Sequence, residues 1–235
     1  MRKTILTLLG VFLLAHSLLA DEGMWLLKEL NRQSAARMKE LGFTFPTDSL
    51  YNEQNPSLKD AVIIFGAGCT GVAVSNEGLV FTNHHCGYEA IQKLSSVEHD
   101  YLKDGFVSQS FEKELACKDL TVQFLKKTED VTAKVLSQVT EADDEPARDA
   151  KIAKAREEIL KEYEGNDYLS AKVIPFYSRN KYYLVVYEVF KDIRLVLTPP
   201  SSVGKFGGET DNWMWPRHTC DFSVFRVYAN KENKP

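Results

Sequence analysis

The spacing of hydrophobic and polar positions divides the chain into a helical start and a β-rich remainder. Over residues 22–41, Leu27, Leu30 and Met38 share one face while charged side chains occupy the others. This spacing predicts an amphipathic helix, which ends at Gly42. Beyond that helix the apolar runs become short and are separated by glycine-containing turns, a pattern typical of sheet proteins.

The first β-rich stretch predicts a meander of three strands, at residues 61–65, 69–75 and 79–83. The turn at 76–78 ends in a glycine, which suits the positive φ that a tight hairpin requires. A short helix is predicted over 87–94. Further strands are predicted at 120–125, 169–176, 182–190, 193–197 and 222–228. The whole pattern predicts a mainly β fold with helical elaborations, built as a barrel or a sandwich.

A second long helix is predicted over residues 145–164, between two groups of strands. Pro146 suits the first turn of this helix, and Gly165 follows its last residue. Ile152 and Ile159 belong to its apolar stripe, and its many charges form a solvated face. This segment is therefore a helical excursion within the β domain.

The stretch 82–88 carries the most distinctive chemistry in the chain. It contains His85 directly after a strand-like apolar run. A histidine in this position is held rigidly while its ring stays near the surface, as a general base requires. Cys69 begins the preceding strand, so a Cys69–Cys86 bridge would pin the segment that carries His85.

A histidine base needs a carboxylate to orient it, and Asp221 is the best candidate. It lies at the edge of a predicted strand, after a loop rich in aromatic residues that could shield it from water. The nucleophile is harder to find, because no Gly-x-Ser-x-Gly sequence occurs. Ser201 and Ser202 form the only suggestive pair, but the adjacent prolines and glycine favour a turn there.

A zinc site is the rival interpretation of the same region. Cys69, His84, His85 and Cys86 are all possible ligands. Adjacent residues on an extended strand point to opposite faces, which argues against His84 and His85 holding one ion. The simpler interpretation of His84 is a structural histidine whose ring nitrogens are hydrogen bonded within the fold.

The loop at 207–215 contains paired tryptophans beside an asparagine and two acidic residues. Such a set can form a pocket with a polar end, suited to a small apolar group that carries an ammonium. Packing of the tryptophans in the core is the alternative.

The N-terminal segment and the cysteine content predict that the protein is exported from the cytoplasm. Residues 1–20 combine a basic start, an apolar core and a small-residue exit, which predicts a secretory signal peptide. No later run is long enough for a membrane span.

The mature chain is acidic. Without Arg2 and Lys3 the charges are 27 basic and 33 acidic, a net of −6, and no basic patch suggests nucleic acid as a partner. All four cysteines lie in the exported part, which favours disulfides.

The strand predicted at 222–228 is followed by a polar turn at 229–235 that would normally lead into a return strand. We therefore expect the sequence to be the N-terminal part of a longer protein. A frayed natural tail is the alternative.

Five blocks of the chain resemble the bacterial dipeptidyl-peptidase 7 and dipeptidyl-peptidase 11 family. The blocks occur in the same order as in that family, and the resemblance covers essentially the whole mature chain. The blocks are residues 21–25, 68–71, 79–88, 199–207 and 210–219.

The resemblance implies a chymotrypsin-like double β-barrel, of which residues 21–235 hold most of the first barrel. It also implies a serine exopeptidase that removes dipeptides from the free N-termini of peptides. His85 would be the general base and Asp221 its orienting carboxylate, whereas Asn212 and Trp213 would hold the substrate's α-amino group. The serine would lie in a missing C-terminal part, so this chain alone is expected to be inactive.

The resemblance and the remaining residues lead to further expectations. The resemblance implies a Cys69–Cys86 disulfide, and the two cysteines that remain suggest a Cys117–Cys220 bridge. It implies a periplasmic enzyme that requires no metal or organic cofactor. The full-length protein is expected to form a homodimer. A secreted binding module that keeps the barrel without catalysis is the alternative function.

Overall fold

The computed structural model describes residues 26–30, 34–208, 210 and 213–229. These residues belong to two units that divide after Tyr51. Within the first unit, the described part of the predicted helix at 22–41 contains a 3-10 turn, Leu27–Glu29, and helix α1, Ala35–Glu40. The predicted signal peptide lies outside the described residues.

Strands in the second unit form one antiparallel sheet, with ten members among the described residues. They are β1 Val62–Phe65, β2 Cys69–Ala73, β3 Leu79–Thr82, β4 Phe106–Val107, β5 Leu115–Ala116, β6 Val122–Asp130, β7 Leu169–Phe176, β8 Lys181–Phe190, β9 Asp192–Thr198 and β10 Ser223–Tyr228. Their order across the sheet is β4-β9-β10-β3-β2-β1-β6-β8-β7, and β5 also pairs with β9. The predicted mainly β fold with helical elaborations is confirmed.

Helices connect or cover these strands. They are α2 His84–Leu94, α3 Tyr101–Asp104, α4 Thr132–Leu136, α5 Glu145–Leu160 and α6 Ser201–Gly204. The same unit also contains the 3-10 turns Leu58–Ala61, Phe111–Lys113 and Lys161–Tyr163.

The central part of the sheet curls back on itself around one core. Phe65 on β1 and Phe225 on β10 have ring centroids 4.8 Å apart, although β2 and β3 lie between their strands. In a flat sheet, strands three positions apart would be about 14 Å from each other. Val80, Val122 and Leu195 are buried in the same cluster. The curl makes this half of the sheet barrel-like.

A second core lies beside the barrel-like part, where the long strands β6, β7 and β8 meet the helices α4 and α5. Val135, Ile152, Val173 and Leu184 are buried in it. The α5 helix begins as predicted, because the Asp144 side chain accepts a hydrogen bond from the first-turn backbone and a proline follows in that turn. The excursion at 145–164 therefore covers one end of the sheet.

A buried ion pair holds β10 in place, and the hydrophobic pattern does not reveal it. Arg226 Nε donates to Glu114 Oε1 at 2.8 Å, and Arg226 Nη1 donates to the Glu77 carbonyl at 2.7 Å. Tyr228 Oη donates to Glu114 Oε2 at 2.9 Å. Each charged group is thus paired and hydrogen bonded, as burial of a charge requires.

Removing the carboxylate of this pair should strongly destabilise the fold. Glu114→Ala leaves the Arg226 guanidinium buried without its partner, and such a loss costs about 3–5 kcal/mol. Urea denaturation of the 235-residue chain would measure the free energy of unfolding. Glu89→Ala, which removes an exposed pair with Lys93 on α2, should change stability little. Equal losses in the two variants would contradict the assigned role of the buried pair.

Candidate active site

Pairing between β3 and β10 brings the two predicted catalytic residues together. In this antiparallel pair Ser223 lies opposite Thr82. The chain that leaves β3 therefore starts beside the chain that enters β10. His85 lies three residues beyond Thr82, and Asp221 lies two residues before Ser223, so their side chains can meet across this end of the sheet.

His85 and Asp221 form a two-point contact. His85 Nδ1 lies 2.7 Å from Asp221 Oδ2, and the His85 backbone N–H donates to Asp221 Oδ1 at 3.1 Å. Asn83, which the sequence analysis did not identify, donates from Nδ2 to Asp221 Oδ2 at 3.1 Å. The His85 side chain is 64% exposed and that of Asp221 is 25% exposed, so the ring faces solvent while the carboxylate is mostly covered.

These contacts keep Asp221 ionised at neutral pH. Burial alone would raise the pKa of its carboxyl group. Hydrogen bonds from the backbone and side chain of His85, the imidazole charge and the Asn83 amide outweigh burial, and the pKa lies below its ordinary value of 3.8. An ionised Asp221 accepts the proton on Nδ1 of a neutral His85, which leaves the lone pair on Nε2 to act as a base.

The segment that carries His85 is more helical than predicted. Helix α2 begins at His84 rather than at Gly87, so His84 and His85 both lie in its first turn. Cys86 in the same turn forms a disulfide with Cys69 at the start of β2, as the resemblance implied. The helix packs closely on the core, since a Cβ at Gly87 would lie 3.0 Å from the Phe225 ring.

The expected Cys117–Cys220 bridge is wrong, because the structure holds both cysteines as free thiols in different environments. Cys117 is buried, and its backbone N–H donates to the Ile193 carbonyl. Burial raises the pKa of its thiol to about 12. Cys220 is exposed, and its backbone N–H donates to the Val203 carbonyl.

Zinc coordination by Cys69, His84, His85 and Cys86 does not fit this geometry. The disulfide uses both cysteine sulfurs, and both ring nitrogens of His84 have hydroxyl partners. Within the described part of the chain, no three His, Cys, Asp or Glu side chains are grouped as metal ligands would be.

An open cleft of about 550 Å³ lies beside the His85–Asp221 pair. Its cationic lining residues are Lys205 and Arg217. The other residues that line the cleft are Asn83, Gly204, Phe206, Gly208 and Thr219.

Of the two residues expected to bind the substrate's N-terminus, the structure describes only Trp213. Trp213 is 85% exposed, so it neither fills the core nor shields Asp221. Asn212 lies outside the described residues.

The Ser201 hydroxyl is hydrogen bonded to His84 and not to His85. The predicted turn at Ser201 and Ser202 is the start of helix α6, and the Ser201 hydroxyl lies 3.1 Å from Nε2 of His84 instead. Among the residues that the structure describes, no serine hydroxyl is hydrogen bonded to Nε2 of His85. Among the described residues, the site thus pairs an imidazole with a carboxylate and holds no serine hydroxyl against the free ring nitrogen.

No helix in the described ranges has the length and apolar character needed to cross a membrane.

Comparison with known proteins places these features in context. Residues 20–235 match the family described as Peptidase S46. A dipeptidyl-peptidase 7 from Porphyromonas gingivalis is 57% identical over 216 residues, which are 92% of this chain and 30% of that protein. An Asp/Glu-specific dipeptidyl-peptidase from Porphyromonas endodontalis is 46% identical over 234 residues, which are 97% of this chain and 32% of that protein.

Solved structures give the same result. The crystal structure of Porphyromonas endodontalis DPP11 in complex with the dipeptide Arg-Glu matches with a TM-score of 0.80 and 48% identity. The match covers 92% of this chain and 32% of that one. The chain therefore spans about a third of the length of the relatives it matches.

Stability should depend on pH through His84. Burial is the main cause that lowers the pKa of its imidazole below the ordinary value of 6.5. The unfolded chain therefore binds this proton at a higher pH than the folded chain does. The free energy of unfolding should fall as the pH drops below about 6.5 toward the lower pKa of the folded state.

Urea denaturation across a pH series would test this expectation. In His84→Asn the dependence near pH 6.5 should be shallower than in the native chain, whereas His99→Asn, at an exposed histidine, should leave it unchanged. The same dependence in the native chain and in His84→Asn would show that His84 does not cause it.

Proposed function

Because the chain belongs to the peptidase S46 family, we propose that it carries the base and the orienting carboxylate of a serine-type dipeptidyl-peptidase. The complete enzyme releases dipeptides from the free N-termini of peptides. The observation that supports this assignment most directly is the hydrogen bond of 2.7 Å between His85 Nδ1 and Asp221 Oδ2.

In this mechanism His85 moves the proton. Its Nε2 atom takes the proton of a serine hydroxyl as that oxygen attacks the second peptide bond of the substrate, and the resulting imidazolium gives the proton to the leaving amine. Asp221 holds the ring by its Nδ1 proton and stabilises the positive charge that forms on it. Asn83 keeps the carboxylate in position through its amide.

The nucleophilic serine comes from polypeptide outside these 235 residues. Two observations support this assignment: His85 Nε2 has no serine partner among the described residues, and the relatives are about three times as long as the chain. Acyl transfer by a serine, histidine and aspartate needs no metal or organic cofactor.

Removal of two residues at a time requires a group that holds the substrate's terminal ammonium. We assign this role to Asn212 and Trp213. An amide oxygen accepts from an ammonium, and an indole face attracts a cation. The exposed position of Trp213 leaves its ring available to a peptide.

We further propose that the protein acts after export to the periplasm and that its N-terminal 20 residues are the signal peptide. The mature enzyme then begins at Asp21, and its disulfide forms in an oxidising compartment. The full-length enzyme is proposed to be a homodimer.

Asp221→Asn in the full-length protein should reduce kcat by about 10⁴-fold, because an amide donates to Nδ1 and holds His85 in the wrong tautomer. KM for a dipeptidyl substrate should change little, since the substituted group does not bind the peptide. Steady-state kinetics would measure both values. Asp167→Asn, at an exposed carboxylate paired with Lys191, is the matched control. A kcat within about tenfold of the native value would exclude Asp221 as the orienting carboxylate.

The 235-residue chain by itself should not release dipeptides, because no serine in the part that the structure describes contacts His85. The assay is incubation of purified chain with unblocked peptides, followed by mass spectrometry of the products. Release that disappears in His85→Ala would refute the assignment of the nucleophile to another segment and would make Ser201 and Ser202 candidates again.

A further inference from the structure

His84, the neighbour of the proposed base, is enclosed and hydrogen bonded at both ring nitrogens. Only 1% of its surface is exposed. Its Nδ1 atom lies 3.1 Å from Thr198 Oγ1, and its Nε2 atom lies 3.1 Å from Ser201 Oγ. The proposed mechanism uses none of these three residues.

For a neutral ring, only one arrangement of protons makes every contact in this cluster a hydrogen bond. Thr198 Oγ1 is 3.1 Å from the Pro199 carbonyl, which can only accept, so the threonine hydroxyl donates there. Ser223 Oγ, at 3.2 Å, must then donate to Thr198 Oγ1, and His84 must donate from Nδ1. Ser201 consequently donates to the bare Nε2 atom of His84.

Burial supports a neutral ring. It is the largest cause that lowers the pKa of His84. The positive charge of Lys205, and that of His85 whenever its ring takes up a proton, act in the same direction, whereas the charge of Asp221 opposes them. The cluster is therefore a directional chain of hydrogen bonds with one tautomer of His84 at its centre.

This cluster joins the segments that carry the two proposed catalytic residues. His84 precedes His85 in α2. Thr198 ends β9, Ser201 begins α6, and Ser223 begins β10 just after Asp221. The hydrogen bonds through His84 and Thr198 thus link the start of α2 to the start of β10.

Helix α6 also holds the segment before Asp221. Thr219 Oγ1 donates to the Gly204 carbonyl at 3.0 Å, and the Cys220 backbone N–H donates to the Val203 carbonyl at 3.1 Å. A Cβ at Gly204 would lie 2.7 Å from Cγ of His84, so the imidazole packs directly against the α6 backbone. The ring cannot shift toward α6 without moving the helix.

We propose that His84 is a positioning residue whose ring, protonated at Nδ1, holds the His85 and Asp221 segments at the separation that their hydrogen bond requires. This inference rests on the proposed roles of His85 and Asp221, because it assigns to His84 the geometry of that pair.

Histidine ring ¹⁵N shifts, measured by NMR on the 235-residue chain through the carbon-bound ring protons, provide the test. In the native chain both His84 and His85 should show a protonated Nδ1 and a bare Nε2. A histidine side chain free in water favours the other tautomer, so a loosened His85–Asp221 contact should shift the His85 signals toward protonated Nε2. A native His84 with a protonated Nε2 would overturn the proposed hydrogen-bond chain.

Three variants perturb the cluster without touching His85 or Asp221. His84→Phe keeps a ring but removes both hydrogen bonds, and Gly204→Ala pushes the ring away while leaving its chemistry intact. Both should shift the His85 tautomer. His84→Asn can still donate to Thr198 from its amide and should restore part of the native signal. If His84→Phe fails to fold, the His85 tautomer in Gly204→Ala and His84→Asn decides whether His84 positions His85.

The control is a variant that destabilises the fold elsewhere. Val135→Ala removes a buried side chain from the second core and should leave the His85 tautomer unchanged. If the His85 tautomer is unchanged in folded His84→Phe and Gly204→Ala, the proposal is wrong and His84 is an ordinary core residue. An equal tautomer shift in Val135→Ala would lead to the same conclusion. The tautomer of His85 is measured without any peptidase activity. Failure of the proposed function would therefore appear separately, as full activity of Asp221→Asn in the full-length protein.

Discussion

The antiparallel pairing of β3 with β10 is the constraint on which the site depends. With Ser223 opposite Thr82, the start of α2 and the residues before β10 lie side by side, and His85 can reach Asp221. A slip of one residue would reverse the faces of β10, turning Phe225 out of its hydrophobic cluster and moving Asp221 away. The chemistry of the site thus follows from a register set by hydrophobic burial.

Two further contacts secure this register from opposite ends of β10. At one end the buried pair of Arg226 and Glu114 holds the strand to its neighbours. At the other end the hydrogen-bond chain through His84 joins β10 to β9, α2 and α6. Both are polar contacts in buried places, where an unpaired group is costly, so each one strongly favours a single arrangement of the segments it joins.

Much of the fold could be predicted because its elements are local and strongly patterned. The helix from Glu145 and most of the strands follow from periodicity and turn residues, and the family resemblance, which the comparisons confirm, follows from blocks of adjacent residues. The Cys117–Cys220 bridge failed as a prediction because parity and elimination say nothing about distance. The shielding of Asp221 by tryptophans failed similarly, since Trp213 projects into solvent.

By itself the sequence determined the family, the mainly β class and the two residues that we propose as base and carboxylate, because these are encoded in short contiguous patterns. Only the tertiary structure decided which polar groups meet: Asn83 with Asp221, Arg226 with Glu114, and His84 with Thr198 and Ser201. The physical reason is distance along the chain. Each of these pairs is separated by more than a hundred residues, and the curl of the sheet brings them into hydrogen-bonding range.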